Sequence, residues 1–368
     1  MMADIFRQYG NAYLAKFGNR MLASHKKAIA DIINCRTEKM GGHVYKCPDH
    51  DEFEYKYHSC MNRNCPQCQN DQAEKWLQKQ RQRLINVPYF LVTFTLPKEL
   101  RALARSNQKL FYRIMFYAAV LAMKKCARDP RFIGGAIGCM GVLHTWTRTL
   151  EYHPHIHFLI PAGGLSKDKL NWLPAIQKKF LFPVKALSKI YRAIIRDQLK
   201  IEKALFAQAP NEVWRKKWVV HCMPAGNGET VLKYFAPYVF RVAISNNRII
   251  KLENNKVTFV YRHSKSNELK TMTLPVFEFM RRFLQHVLPQ GFKKVRYFGF
   301  LNAGNKALLV RLQYVLGTVE PHQIDSIDDS QPSPNIPCCP ICGKQMILHS
   351  ILLPDKPDNK ITKNAVPP

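Results

Sequence analysis

Three histidines occupy alternate positions in the segment EYHPHIHFLI, at His153, His155 and His157. Successive side chains of a β-strand point to opposite faces, so this spacing predicts that the three imidazoles share one face while Ile156 and Phe158 are buried on the other. Imidazoles two residues apart on a strand lie about 7 Å from each other, close enough to converge on one metal ion. Two histidine ligands, His155 and His157, leave coordination positions for substrate oxygens, which is typical of a catalytic ion.

A third ligand is expected from a neighbouring strand. Residues 137–146 and 155–160 both have strand-like patterns, and the short connection between them predicts a hairpin. Folding this hairpin brings His144 opposite His155 and His157, so His144 is the predicted third ligand. Glu151 is the alternative, because a carboxylate suits Mg²⁺ or Mn²⁺ better than imidazole does. His153 is then expected to support the ligands rather than bind the ion.

Two tyrosines, Tyr234 and Tyr238, are four residues apart in the segment VLKYFAPYVFRVA. On a helix this spacing places both on one face. Pro237 removes one helical hydrogen bond and bends the axis, so the two hydroxyls are not expected to be presented equivalently. Taken alone, such a pair is more typical of a hydrophobic core; the histidine segment upstream favours a chemical role.

A tyrosine phenolate can attack a phosphodiester directly and keep the phosphoester energy in a covalent link. A later 3′ hydroxyl then reverses the step without ATP, so tyrosine suits strand transfer rather than hydrolysis. Because the ordinary pKa of tyrosine is about 10, the reaction needs a cation at the scissile phosphate and basic groups nearby. The candidates for phosphate contact are Lys233, Arg241 and Arg248.

Cysteines and histidines near the N-terminus have the spacing of zinc ligands. Two two-ligand knuckles, Cys47-Pro-Asp-His50 and Cys65-Pro-Gln-Cys68, are separated by fourteen residues, which predicts a tetrahedral zinc-ribbon site. A second zinc site is predicted from the remaining candidates in this block, namely Cys35, His43, His58 and Cys60. Near the other end, Cys338, Cys339, Cys342 and His349 contain only one clear knuckle, so a third zinc site would need ligands from elsewhere.

The composition favours a nucleic-acid partner. Among 368 residues, 56 Lys and Arg outnumber 26 Asp and Glu, giving a net charge of +30 that a polyanion would offset. Membrane surfaces also attract cations, but the chain has no run of about 18 apolar residues and its first residues lack the apolar core of a signal peptide. We therefore expect a cytoplasmic protein with no membrane association.

The elements that would position these residues follow from local patterns. Residues 1–34 have helical periodicity, residues 89–96 and 217–223 predict strands, and residues 97–126 and 166–208 predict helices. Beyond the tyrosine helix, residues 248–262 predict a hairpin, followed by a helix (275–287), a strand (295–300) and a helix (306–316). The predicted domains are a helical lead-in (1–34), a zinc-binding domain (35–70), a connecting helix (71–88), a nuclease domain (89–317), a linker (318–337) and a cysteine knuckle with a disordered tail (338–368).

The chain resembles the rolling-circle transposases of bacterial insertion sequences, the two-tyrosine branch of the HUH endonucleases. The resemblance covers most of residues 30–317 and is carried by LHTWTRTLEYHPHIHFLIPAGG, KYFAPYVFRVAISNNRI and RRFLQHVLPQGFKKVRYFGFL, with the cysteine block in front. Relatives of this kind usually have cysteine at the position of His50.

This resemblance implies an α+β fold: an HUH endonuclease core with a central antiparallel sheet flanked by helices, plus an N-terminal zinc-ribbon-like module. The metal strand would be central, with the tyrosine helix packed against it. It also implies that single-stranded DNA is cut at a transposon end, that the 5′ end becomes linked to a tyrosine, and that the strand is transferred to target DNA. The expected cofactors are Mg²⁺ or Mn²⁺ at the nuclease site and Zn²⁺ in the N-terminal domain.

Two other functions use similar residues. A plasmid replication initiator or mobilisation relaxase would share the metal and tyrosine chemistry, and a noncatalytic zinc protein could bind DNA without cutting it. The cysteine block ahead of the nuclease favours a transposase over the first. The presence of His155, His157, Tyr234 and Tyr238 argues against the second.

Overall fold

The computed structural model describes residues 1–68, 70–240, 243–263, 266–317 and 336–355, with side chains at all of these positions except 70–75, 229, 234, 237, 238 and 240. Within these residues, helices alternate with antiparallel sheets, which confirms the predicted α+β class. Among the helices described, none combines the length and apolar character needed to cross a membrane.

The largest sheet has five antiparallel strands, and the histidine segment is the middle one. In spatial order the strands are β12 (Val295–Phe298), β4 (Cys139–Trp146), β5 (Tyr152–Pro161), β3 (Pro88–Thr95) and β8 (Val220–Asn227). The short connection between β4 and β5 makes the predicted hairpin, which the strand register confirms. The β8 strand begins and ends later than its predicted bounds of 217–223.

One face of this sheet is buried under helices. Ile156, Phe158 and Ile160 of β5 are fully buried on this face, each worth about 1.5–3 kcal/mol of burial free energy. They belong to the same core as apolar residues of α5 (Gln108–Ala127) and α6 (Val184–Ile201). The shorter helices α4 (Arg101–Ser106) and α7 (Lys203–Ala207) precede α5 and follow α6, respectively.

The opposite face is divided into an apolar half and a polar half. Its apolar half, which includes Leu91, Val142 and Leu159, packs against Leu232 and Phe235 of α8 (Gly228–Phe240) and against α10 (Lys306–Val315). The same alternation places the histidines of β5 on this face, nearer the β4–β5 turn. The helix α8, which contains Tyr234 and Tyr238 and is called the tyrosine helix below, therefore lies on the same side of the sheet as the histidines.

The N-terminal helices α1 (Met2–Phe17) and α2 (Ala23–Asn34) confirm the predicted helical lead-in. Their buried side chains share a core with a second sheet and its helix: β9 (Ile249–Glu253), β10 (Lys256–Arg262), β11 (Leu269–Pro275) and α9 (Val276–Leu284). The lead-in is thus packed against residues that are remote in sequence. The predicted hairpin at 248–262 is confirmed, whereas β11 has no counterpart in the sequence prediction.

Between these parts lie a small hairpin and a connecting helix. The hairpin strands β1 (Gly42–Lys46) and β2 (Phe53–Tyr57) form a three-stranded sheet with β13 (Ile347–Leu352), from near the opposite end of the chain. The connecting helix is α3 (Asn70–Arg81), which packs against α8. The knuckle near the C-terminus, predicted as a separate unit, is therefore docked on the N-terminal hairpin.

The prediction of helices across 166–208 is wrong in its first part. The short strands β6 (Gly163–Leu165) and β7 (Trp172–Pro174) pair with each other, and helical structure begins only at Val184. Pro174 and Pro183 explain the difference, because proline lacks the backbone N–H and disfavours helix in the residue before it. Strands of three residues are too short to produce a recognisable alternation.

Candidate active site and metal centres

The β4–β5 register brings three histidines together. His144 pairs directly with His155, while Val142 pairs with His157. One ring nitrogen from each of His144, His155 and His157 lies within 4.8 Å of the other two, which is compatible with a shared ion. Glu151, the alternative third ligand, is exposed and does not belong to this cluster.

Hydrogen bonds orient two of these rings. The Nδ1 atom of His155 donates to the backbone carbonyl of His153 at 2.7 Å, and the Nδ1 atom of His157 lies 2.9 Å from the Thr93 hydroxyl. A ligand histidine commonly binds the metal with one nitrogen and is oriented through the other, so Nε2 is the nitrogen expected to bind in both rings. His153, expected to play a supporting role, contributes through its backbone.

Two histidines of this cluster, His155 and His157, are held in the neutral form. Burial lowers the pKa of His155 to about 4 and that of His157 to about 3, with a smaller contribution in His157 from the neighbouring imidazole. Burial likewise lowers the pKa of His153 to about 4. Because a metal ion binds the unprotonated nitrogen of imidazole, these environments favour metal ligation at neutral pH.

Trp146 and Lys294 connect the histidine cluster to the tyrosine helix. The His144 ring stacks on Trp146 with centroids 4.7 Å apart, and the Lys294 ammonium lies 4.9 Å from the Trp146 ring centre. Lys294 Nζ also donates to the carbonyl of Val239 in the last turn of α8 at 3.1 Å. Burial lowers the pKa of Lys294 to about 7.

The predicted nucleophiles Tyr234 and Tyr238 belong to α8, which continues through Pro237. Their side chains, and the whole of Arg241, lie outside the described residues. Lys233, on the same helix, is exposed and borders the cleft beside the histidines. Arg248 also borders this cleft, but its guanidinium donates to the carbonyls of Val260 and Arg148, so it has a structural role that its sequence did not indicate.

The histidine cluster opens into a cleft of about 1580 Å³. Among the residues that the structure describes, its lining includes eight lysines and arginines but a single carboxylate, that of Glu151, so its electrostatic potential favours a polyanion. The cationic residues are Lys98, Arg101, Arg148, Lys216, Lys217, Lys233, Arg248 and Arg262. Of these eight, only Lys233 and Arg248 were predicted as site residues. Arg101 could also have been predicted from the sequence, because it follows the end of β3 that lies in the polar half of the sheet.

Four cysteines form the first of two further clusters. The Sγ atoms of Cys35, Cys60, Cys65 and Cys68 all lie within 4.8 Å of one another. Cys68 Sγ lies 3.3 Å from Cys35 Sγ and 3.6 Å from Cys60 Sγ, too far for a disulfide and close to the roughly 3.8 Å between thiolates around tetrahedral zinc. Since the cysteine block has this geometry, Zn²⁺ is its natural ligand.

The predicted grouping of zinc ligands requires correction. Cys47 and His50 do not meet Cys65 and Cys68; they lie instead with Cys339 and Cys342. The reason is the length of β2: its five residues span about 17 Å, which separates a ligand at the β1–β2 turn from ligands beyond the end of β2.

Two of the predicted ligands of the second zinc site, His43 and His58, are outside the described clusters. Their rings instead contact each other, with centroids 4.9 Å apart. Cys35 and Cys60, the other two predicted ligands of that site, complete the four-cysteine cluster.

Comparison with known proteins matches two regions of the chain. Residues 138–307 match a family described as "Putative transposase", and residues 5–96 match one described as "Transposase zinc-binding domain". The "Putative transposase y4qJ" of Sinorhizobium fredii is 37% identical over 342 residues, covering 87% of this chain and 85% of the relative. The chain belongs to the IS91 family of two-tyrosine transposases.

A second relative of the transposase is the "Transposase for insertion sequence element IS801" of Pseudomonas savastanoi pv. phaseolicola, 27% identical over 295 residues, with 75% of this chain and 70% of the relative covered. No solved structure matches the transposase. The histidine cluster and α8 lie inside the 138–307 match, and the four-cysteine cluster lies inside the 5–96 match. Cys339 and Cys342 lie outside both.

Proposed function

We propose that this transposase nicks single-stranded DNA at the ends of its element through a 5′-phosphotyrosine intermediate and transfers the strand to target DNA by a rolling-circle type mechanism. The observation that carries the proposal is the position of the His144, His155 and His157 cluster in a cation-lined cleft that residues of the tyrosine helix also border. Family membership favours this role over that of a plasmid replication initiator or a noncatalytic zinc protein.

A divalent ion fits the histidine cluster. Its ligands would be His144, His155 and His157, the last two through Nε2, and when bound it would stabilise negative charge on the scissile phosphate. Among the described residues the donor set consists of three imidazoles with no carboxylate, which suits Mn²⁺ better than the oxygen-seeking Mg²⁺. Of the two ions considered from the sequence, we therefore favour Mn²⁺.

The residues of the chain then perform the strand exchange. The Oη atom of Tyr234 or Tyr238 gives up its proton and forms a bond to phosphorus, the bond from phosphorus to the 3′ oxygen breaks, and the leaving oxygen takes up a proton to become a 3′ hydroxyl, so that no net proton is gained or lost. In the reverse direction a 3′ hydroxyl attacks the phosphotyrosine and restores a phosphodiester, so no ATP is consumed. A second tyrosine allows a second cleavage while the first link persists.

The cations of the cleft would hold the DNA backbone during these steps. Arg101 is suited to this because it lines the cleft and its Nε atom has no hydrogen-bond partner among the described residues. A phosphate oxygen would satisfy that donor. Lys233, exposed on the tyrosine helix, would contact a phosphate near the nucleophiles. Arg241 stays a candidate from the sequence alone.

The decisive experiment incubates the transposase with single-stranded oligonucleotides from the ends of its element and looks for a protein–DNA adduct that survives denaturation. We expect an adduct with Mn²⁺, less with Mg²⁺, and none with chelator or with the His155→Ala and His157→Ala variants. Tyr234→Phe and Tyr238→Phe, tested separately and together, assign the nucleophiles; the double variant should form no adduct. An adduct that persists in the double variant would refute the proposal.

A further inference from the structure

A cluster of metal-type ligands joins two segments far apart in sequence. Cys47 and His50 come from the turn between β1 and β2, and Cys339 and Cys342 come from the knuckle ahead of β13. Each residue contributes one ligand atom, and all four atoms lie within 4.8 Å of one another. The knuckle that lacked partners in the sequence therefore has two at the N-terminal hairpin.

We propose that Cys47, His50, Cys339 and Cys342 bind a structural zinc ion that clasps residues 336–355 to the N-terminal hairpin. Cys47 Sγ lies 3.7 Å from Cys342 Sγ and 3.4 Å from His50 Nδ1. These distances are close to the roughly 3.3–3.8 Å expected between ligand atoms around tetrahedral zinc. Three thiolates and one imidazole are an ordinary ligand set for a closed, structural site.

The backbone around these ligands has the form of two zinc knuckles. In the first, the amide of Asp49 donates to Cys47 Sγ at 3.4 Å. In the second, Cys339 and Gly343 bond through a backbone hydrogen bond of 2.9 Å, and Gly343 has φ +71°, a conformation that glycine adopts without strain. Both turns therefore have a backbone shape that can present two ligands to one ion.

Residues 336–355, called the tail below, continue from the knuckle into the strand β13, which completes the N-terminal sheet. β13 pairs antiparallel with β1, from Lys46 opposite Ile347 to Gly42 opposite Leu352. A Cβ atom added at Gly41 would lie 2.5 Å from the Leu352 carbonyl oxygen, so the hairpin has no room for a larger residue where the tail passes. This close approach indicates a specific docking site for the tail.

Few apolar contacts hold the tail in place. The side chains of β13 are exposed except for one intermediate position. In the part of the chain that the structure describes, the small core shared by the knuckle and the hairpin has four buried residues, Tyr45, Cys47, Cys339 and Met346. The ion pair of Lys344 with Asp49, at 2.7 Å, is solvent-exposed and stabilises little. A zinc ion would supply the free energy of association between the tail and the hairpin that these contacts do not provide, because metal binding is coupled to the ordering of its ligands.

The clasp is independent of the nuclease chemistry. Its ligands lie outside the cleft, and Cys339 and Cys342 lie outside both regions that match known families. The clasp is therefore an interaction between residues 336–355 and the N-terminal hairpin that is separate from DNA cleavage, and it can be tested without DNA.

Zinc content gives the first test. Native mass spectrometry of the full chain should show one zinc fewer per molecule in Cys339→Ser/Cys342→Ser and in His50→Ala than in the unmodified protein. Cys338→Ser is the matched control, because Cys338 adjoins Cys339 but is exposed and outside the cluster; it should keep the full zinc content. His50→Cys should also keep it, since thiolate replaces imidazole as a ligand. Circular dichroism checks that each variant is folded.

Retention of the tail gives the second test. A site-specific protease sequence inserted in the segment 318–335 allows the tail to be cut from the folded protein, and size-exclusion chromatography then shows whether the two pieces stay together. We expect co-elution for the unmodified ligands and for Cys338→Ser, and separation for Cys339→Ser/Cys342→Ser. Full zinc content in the double variant, or equal retention of its tail, would overturn the clasp.

Discussion

The hydroxyl of Thr93 should set the metal affinity of the histidine cluster. Thr93 lies on β3 opposite His157, and its Oγ1 atom is 2.9 Å from His157 Nδ1. Thr93→Val keeps the shape of the side chain but removes this partner, leaving a largely buried ring without the bond that orients it. Loss of such a partner typically weakens metal binding by about 10- to 100-fold.

A 10- to 100-fold loss of metal affinity corresponds to about 1.4–2.8 kcal/mol of binding free energy. The assay is a titration of adduct formation with Mn²⁺, in which Thr93→Val should shift the half-maximal Mn²⁺ concentration upward by this factor and recover much of the rate at saturation. Recovery at high Mn²⁺ separates weakened binding from loss of the nucleophile.

Thr95→Val is the matched control. Thr95 lies two residues further along the same face of β3 and lines the same cleft, but its hydroxyl makes no hydrogen bond to a histidine among the described residues. Its variant should keep the Mn²⁺ dependence of the unmodified protein. An unchanged titration in Thr93→Val, or an equal shift in both variants, would show that the Thr93 hydroxyl does not orient His157.

Two further predictions concern the fold around the site. A methyl group at Gly141 would place carbon 2.6 Å from Phe158 and 3.0 Å from Phe116, so Gly141→Ala should lower the free energy of unfolding by about 1–3 kcal/mol in urea denaturation; an unchanged midpoint contradicts this packing. Burial lowers the pKa of His286 to about 3, against about 6.5 in the unfolded chain, so only the unfolded chain binds the proton between these values. Stability should therefore fall as pH drops below about 6.5, by up to about 1.4 kcal/mol per pH unit from this group, and urea midpoints of His286→Gln should depend less on pH; equal slopes argue against it.

Local sequence was sufficient to place the histidine cluster. The segments around His144 and His155 are joined by a connection of a few residues, so a hairpin is the only short-range way to bury both apolar faces, and its register follows from the alternation of side chains. The support from Thr93 was not predictable in the same way. It depends on which strand lies beside β5, and β3 is separated from β5 by two helices and another strand.

The zinc ligands show what local sequence cannot predict. A knuckle such as Cys65-Pro-Gln-Cys68 specifies half of a site, because two ligands three residues apart share one turn. Nothing in the spacing specifies which other half completes it. Here the length of β2 separates two knuckles that are near in sequence, and the pairing of β13 with β1 joins Cys47 to Cys342, 295 residues away.

The division of one sheet face into two halves explains how the chemistry is positioned. The histidines of β4 and β5 lie near the β4–β5 turn. Val142 and Leu159 lie two to four residues away on the same face of these strands and pack against the tyrosine helix. Lys294 reinforces this link by bonding to α8 while it lies over Trp146. Because the histidines and the helix contact the same strands, we expect a substitution in the apolar half to change the distance between the proposed nucleophiles and the proposed metal site without contacting either. The rigidity of this sheet is therefore a condition of the proposed strand transfer.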